Sequence, residues 1–205
     1  MRVAVIGTGG MGSGLARHLA SKHDVAVGSR DPQKAASLAG EIGAPFGGTY
    51  GDAAKDAEVV ILAVPWAAID ETLDQLGDLT ARIVVDVTNP YVGGQLRPHE
   101  NSSNAEEIQK KLPGARVVKG WNTVFSPVVN AGPSFDGEAA SVLLAADDQA
   151  AKESVAGLAR DIGYDPVDCG PLPSARDLER LLSAYGAIGH NLEWGSWAIR
   201  VLKRS

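Results

Sequence analysis

The sequence predicts an α/β protein: a Rossmann-type, doubly wound, mostly parallel sheet with a small C-terminal helical and α+β extension. Three observations predict it. Short β-branched runs at residues 2–6, 25–27, 58–64 and 83–87 lack polar alternation, the pattern of strands covered on both faces. Stretches with helical spacing of apolar residues separate them, so strand and helix alternate along the chain. A glycine cluster, GTGGMG at 7–12, falls where the first strand gives way to the first helix. With 205 residues the chain has room for one main core.

The elements follow in order. Residues 2–6 (RVAVI) end abruptly at Gly7, and Met11, Leu15, Leu19 and Ala20 then recur at helical spacing. A second strand at 25–27 stops at Gly28. Asp31-Pro32 starts the next helix, with Asp as cap and Pro at a position that needs no N–H, and 33–42 continues it. Strand 58–64, helix 66–76 and strand 83–87 complete the alternating half. Residues 91–104 read as a loop rich in Gly, Pro, Ser and Asn. Helix is predicted at 105–112 and 149–162, and strand at 116–119, 140–145 and 165–169. From Ser174 the chain reads as helix to its end, with Leu178, Leu181, Leu182, Tyr185, Ile188, Leu192, Ile199 and Leu202 at a rough 3.6 period. Gly186, Gly189 and Gly195 interrupt that stretch, which predicts two helices or a bend.

Composition excludes several classes. Nineteen Lys and Arg against 25 Asp and Glu leave a net charge of −6. A nucleic-acid or anionic-membrane binder needs the opposite, a basic face. At 44% hydrophobic and 21% charged residues the chain is globular rather than disordered. A single cysteine excludes an internal disulfide and a cysteine-based zinc site. No run of about 18 apolar residues offers a membrane span, and the first ten residues lack the features of a signal peptide. A cytoplasmic protein is expected, with no nucleic-acid and no membrane partner.

The sequence Gly7-Thr8-Gly9-Gly10-Met11-Gly12 matches G-x-G-x-x-G between a strand and a helix, the context that makes it a dinucleotide fingerprint. Gly7 permits the tight turn, Gly9 lets the backbone approach a pyrophosphate, and Gly12 allows close packing of helix on strand. The helix N-terminus then offers unpaired N–H groups to the phosphates. At the end of the second strand a free ribose 2′-hydroxyl is usually held by Asp or Glu. Here Ser29 and Arg30 stand instead, with Lys34 one turn later. A hydroxyl and two cations suit a 2′-phosphate, so NADP is expected over NAD.

No acid, base or nucleophile stands out. Cys169 reads as a small core residue, and His18, His23 and His99 as surface or loop residues. His190 sits among Trp194 and Trp197, where packing is expected. Tyr185 has glycine, not lysine, four residues on, which removes a Tyr-Lys reductase dyad. Hydride transfer between two planar rings needs none of these. It needs donor and acceptor carbons held roughly 3–3.5 Å apart with water excluded. No catalytic acid or base is named on these grounds.

The segments GTGGMGSGLA (7–16), GSRDPQKA (28–35), AVPW (63–66), VVKGWNTVFSP (117–127) and CGPLPSAR (169–176) resemble the NADPH-dependent reductases of coenzyme F-420, an 8-hydroxy-5-deazaflavin hydride carrier. The resemblance runs from the N-terminus to the last helix. It implies that Thr8, Gly9, Gly10 and Met11 hold the pyrophosphate, and that Ser29, Arg30 and Lys34 hold the 2′-phosphate. Val64, Pro65, Ala68 and Asn89 would approach the ribose and nicotinamide, with Asn122, Thr123 and Ser126 beside the ring. Trp121, Val124, Gly170, Pro171 and Leu172 would close the acceptor pocket. Residues 1–120 would then be the NADP-binding Rossmann domain, and 121–205 a smaller part completing the acceptor pocket and forming a dimer interface. A homodimer is expected from the apolar stripe of the C-terminal helices and their large Trp194 and Trp197. The leading activity is hydride transfer between NADP(H) and the deazaflavin, a small-molecule hydride acceptor. The alternatives are reduction of a flavin, ferric chelate, carbonyl or imine, or an NADPH-binding sensor without turnover.

Overall fold

Six parallel strands form the central sheet: β1 (Arg2–Ile6), β2 (Asp24–Gly28), β3 (Phe46–Gly48), β4 (Val59–Leu62), β5 (Ile83–Asp86) and β6 (Arg116–Lys119), in the spatial order β3-β2-β1-β4-β5-β6. The computed structural model describes residues 1–191, 193 and 196–203. Val3 of β1 pairs with Val25 on one side and Val59 on the other. Five helices lie in the connections: α1 (Gly10–Ala20), α2 (Pro32–Ile42), α3 (Tyr50–Ala54), α4 (Ile69–Leu76) and α5 (Asn104–Lys111). Successive strand residues point to opposite faces, and both faces are covered. Val3 and Val5 join one apolar cluster with Leu15 and Val155, while Ala4 and Ile6 join another with Tyr50, Leu73 and Ile108. Burial on both sides is why these strands carry no polar alternation.

Beyond β6 the longer elements are α6 (Ser126–Ala131), β7 (Ser141–Leu144), α7 (Gln149–Asp161), β8 (Asp165–Asp168) and α8 (Ala175–Asn191). β7 pairs in parallel with β8 and meets the β6 edge through one antiparallel bridge, Lys119 to Ala145. Trp121, Val128 and Val142 belong to the same apolar cluster as Val3 and Val5. Among the described residues no helix is long and apolar enough to cross a membrane.

The predicted helix to the C-terminus is corrected. α8 ends at Asn191, and residues 197–203 are not helical. The Ile199 carbonyl instead accepts the Ser141 N–H at 2.7 Å, and the Val201 N–H donates to Ser141 Oγ at 3.0 Å. The tail thus supplies partners to the start of β7, whose edge groups would otherwise go unpaired. Gly189 also has a different role from a bend: an added Cβ would lie 2.7 Å from Trp197 Nε1 of the same chain. Leu192, Trp194 and Gly195 lie outside the described residues.

Candidate active site

The fingerprint glycines are explained by distances. An added Cβ at Gly7, whose φ is +117°, would stand 2.2 Å from the Ala63 carbonyl oxygen, and one at Gly12 would stand 2.0 Å from that of Gly7. Both positions exclude a side chain. Gly9 differs, because its Cβ would point into open space. It is the N-cap of α1, yet no side chain caps this helix and no acidic residue occupies its first turn. In α2, α3, α5 and α7 the side chains of Asp31, Thr49, Ser103 and Asp148 do that work. The first N–H groups of α1 are therefore available to an anion, and the missing Cβ of Gly9 leaves room for it.

A groove runs from this turn along the carboxyl ends of the strands. One recess is lined by Thr8, Ser13 and Lys34, and the next, about 160 Å³, by Thr8, Gly9, Ser29, Arg30, Pro65 and Ala68. It leads past Gly9, Val64 and Pro65 into a cavity of about 410 Å³. Ser29 is buried at the end of β2 and accepts a hydrogen bond from the Asp31 N–H. The Asp31 carboxylate caps α2 by accepting from the Gln33 N–H at 3.1 Å. Among the described residues nothing pairs with the exposed Arg30 guanidinium, and Lys34 reaches only to 4.0 Å from Asp31. These groups fit a 2′-phosphorylated dinucleotide.

The larger cavity lies between the ends of β1, β4 and β5, where strand order reverses, the position at which open α/β sheets bind ligands. Its wall holds Met11, Trp66, Tyr91, Val124, Phe125 and Leu182, together with the polar Thr88, Asn89, Asn122 and Ser126. No carboxylate, histidine, lysine or cysteine is part of that wall among the described residues. Asn89 and Asn122 interlock: Asn89 Nδ2 donates to the Asn122 carbonyl at 2.8 Å, and Asn122 Nδ2 donates to Asn89 Oδ1 at 3.2 Å.

Behind the wall lies a buried ionic cluster. Lys119 Nζ donates to Asp86 Oδ2 at 2.8 Å, to Glu179 Oε1 at 2.7 Å and to the Thr88 carbonyl at 2.7 Å. Burial opposes the charge on Lys119, but the Asp86 and Glu179 carboxylates outweigh it and hold its pKa above the ordinary value. Burial pushes the Glu179 carboxyl upward against the pull of Lys119.

Most of the residues predicted from the sequence converge. Gly7, Thr8, Gly9, Gly10, Met11, Ser29, Arg30 and Lys34 line the groove, as do Val64, Pro65, Ala68, Asn89, Asn122, Val124 and Ser126. Gly12 supports the turn from beneath. Five do not reach the wall. Trp121, at φ +53°, turns its ring into the core against Tyr164, 6.2 Å between centroids. Thr123 is buried and outside the wall. Gly170, Pro171 and Leu172 form a packing turn instead: the Gly170 carbonyl accepts from Lys152, the Leu172 N–H donates to Asp147, and the Leu172 side chain enters the core. His190 lines a separate cavity with Trp197 and Tyr185. Sequence reasoning missed Trp66, Tyr91, Leu182 and the whole ionic cluster, whose members lie far apart in the chain. Lys119 is fully buried, with its ammonium engaged by Asp86, Thr88 and Glu179, and so offers no clamp for a substrate carboxylate.

Fold and groove together define an oxidoreductase of the Rossmann type, built for a phosphorylated nicotinamide dinucleotide. Residues 2–90 match the family model for coenzyme F420-dependent NADP oxidoreductases. The F420-dependent NADP reductase of Methanocaldococcus jannaschii is 31% identical over 216 residues, covering 96% of this chain and 95% of that protein. A crystal structure from Arthrobacter sp. FB24, of a protein assigned as an F420-dependent NADP reductase, superposes with a TM-score of 0.88 at 31% identity over 99% of this chain and 100% of the other. Metalloreductase STEAP3 of Rattus norvegicus is 34% identical over 182 residues, which cover 88% of this chain but only 36% of that longer protein. The chain belongs to the F420-dependent NADP oxidoreductase family.

Proposed function

We propose that this chain transfers a hydride between NADP(H) and the 8-hydroxy-5-deazaflavin of coenzyme F420, both taken up in one groove. The observation that carries the reading is the wall of the large cavity, largely apolar and aromatic and, among the described residues, without a carboxylate, histidine, lysine or cysteine, at the nicotinamide end of a dinucleotide groove. When bound, the nicotinamide supplies the hydride, so the protein's tasks are to bind, orient and exclude water. Gly9 and the first turn of α1 would hold the pyrophosphate, and Ser29, Arg30 and Lys34 the 2′-phosphate. Met11, Val124 and Phe125 would keep water from the reacting rings, and the interlocked Asn89 and Asn122 would fix the floor. Residues 1–120 then carry the nucleotide, and 121–205 contribute Asn122, Val124, Phe125 and Leu182 to the acceptor side. We assign the cytoplasm as its place of work and a homodimer as its state.

The test mixes NADPH, protein and oxidised deazaflavin and follows the deazaflavin's visible absorbance. Bleaching at a turnover well above that with FMN, ferric chelates or imines is the expected outcome. Rapid NADPH oxidation by a ferric chelate without bleaching would replace the deazaflavin by a metal acceptor, the activity named for the metalloreductase relative. Tight NADPH binding without oxidation by anything would make the chain a sensor.

A further inference from the structure

We infer that Lys119, Asp86 and Glu179 are positioning residues for hydride transfer: their buried cluster sets the distance between the walls of the acceptor cavity. The inference rests on the reading above only in that some hydride acceptor occupies that cavity.

None of the three touches the cavity, and all are buried. They act through residues that do. Every polar group of Thr88 is held by the cluster or its neighbour: its N–H donates to Asp86 Oδ1 at 2.8 Å, its carbonyl accepts from Lys119 Nζ at 2.7 Å, and its hydroxyl accepts from Asn104 Nδ2 at 2.8 Å. The Asn104 main-chain N–H donates to Glu179 Oε1 at 2.8 Å. Asn104 Oδ1 is left to accept from His99 Nε2 at 3.0 Å, and the His99 ring stands edge-on to Trp66, 5.6 Å between centroids. On the other side Asn122, already locked to Asn89, donates to the carbonyl of Leu178, the neighbour of Glu179, at 3.0 Å. One helical turn beyond Glu179, Leu182 enters the wall. Trp66, Thr88, Asn89, Asn122 and Leu182, drawn from four separate parts of the chain, are thus referred to one ammonium group.

Stability alone does not account for such a cluster. Buried ionic groups are often matched or bettered in stability by apolar residues of the same shape. What Lys119 offers is direction, since each of its three N–H bonds has one acceptor, and the acceptors tie the end of β5 (Asp86 and Thr88) to α8 (Glu179). Transfer between two rings is sensitive to that frame, because a displacement of about 1 Å can cost roughly a hundredfold in rate.

The experiment compares the wild type with Glu179→Leu, Glu179→Gln and Asn104→Ala, using NADPH, its 4-deuterated form and whichever acceptor the wild type reduces. In Glu179→Leu we expect kcat to fall about tenfold or more and the deuterium isotope effect on kcat to rise, with the Kd for NADPH within about twofold. Glu179→Gln keeps an oxygen for Lys119 and Asn104 and restores most of the rate. Asn104→Ala releases Thr88 and His99, and lowers kcat about threefold with the same rise in isotope effect. Variants that melt earlier but keep kcat and the isotope effect would reduce the cluster to a structural role and overturn the inference. So would parallel losses of kcat and NADPH affinity. Should Glu179→Leu not fold, Asn104→Ala decides by the same readouts. A wild type inactive with deazaflavin but active with another acceptor overturns the acceptor assignment alone, and one that oxidises NADPH with nothing overturns both.

Discussion

Arg30 and Lys34 differ in how free they are to meet a phosphate. Among the described residues Arg30 has no ion pair, while Lys34 sits 4.0 Å from an Asp31 carboxylate that is already bonded to the Gln33 N–H. A 2′-phosphate would gain a bidentate partner in Arg30 and a looser one in Lys34. Replacing both by Ala is expected to weaken NADPH by about 2 kcal/mol, some thirtyfold in Kd. NADH, which lacks the phosphate, should change by no more than about twofold on the same grounds. Titrating both nucleotides against both proteins checks this, and equal losses would mean that these residues do not read the phosphate. This end of the site is legible in the sequence because it is local: six consecutive residues make the turn, and Ser29, Arg30 and Lys34 all fall within six residues of the end of β2. The other end is not. Lys119 finds its partners 33 and 60 residues away, and Asn122 pairs with Asn89 at a separation of 33. No spacing rule links such residues until the sheet brings β5, β6 and α8 together.

α5 and α8 meet through Glu106 and Arg176, whose guanidinium Nε donates to Glu106 Oε2 at 2.8 Å. Glu106 also shares a hydrogen bond with Ser103, the cap of α5, so cap and inter-helix contact are one unit. The Arg176 hydrogen bond is the largest influence on Glu106 and holds its carboxyl below the usual value of 4.5. A carboxylate with a depressed folded-state pKa contributes stability above its unfolded value and loses it as pH falls through the folded one. The wild type should therefore lose melting temperature more steeply below about pH 4.5 than Glu106→Gln does. Parallel curves down to pH 3 would show that the pair adds nothing. At this scale the sequence was readable where burial on both faces leaves an unbroken apolar run, as in β1, β2, β4 and β5. It was silent on β3 and α3. β3 is Phe46-Gly47-Gly48, pressed against α2 so closely that a Cβ at Gly47 would lie 2.3 Å from the Ala35 carbonyl oxygen. The sterics that demand glycine there remove the apolar signal of a strand. α6 has six residues with Pro127 near its start, too short for a period to show. The C-terminal tail failed for the converse reason: apolar residues at 199 and 202 mimic helical spacing while the backbone serves β7.

In the whole molecule the end of α8 carries apolar residues at the surface. Up to Tyr185 the helix is anchored, with Leu178, Glu179, Leu182 and Tyr185 buried, whereas residues 186–191 lie mostly on the surface. Ile188 is 41% exposed there, and in the tail Val201 and Leu202 are 43% and 79% exposed. Tyr185, Trp197 and Phe125 stack on one another within the chain, so that part of the aromatic surface is already used. The remaining apolar residues, with Gly186 carrying nothing within 4 Å of its Cβ position, suit close approach of a second helix. A second copy of this chain is the occupant we expect, since a two-fold axis through α8 would cover both exposed ends at once. Light scattering should return twice the 21.3 kDa chain mass at micromolar concentration, and Ile188→Asp should return the single mass with turnover per chain largely kept. A single-chain mass for the wild type from about 1 to 100 µM, a range that spans ordinary dimer affinities, would sink the dimer. A dimer insensitive to Ile188→Asp would move the interface away from α8 while leaving the assembly in place.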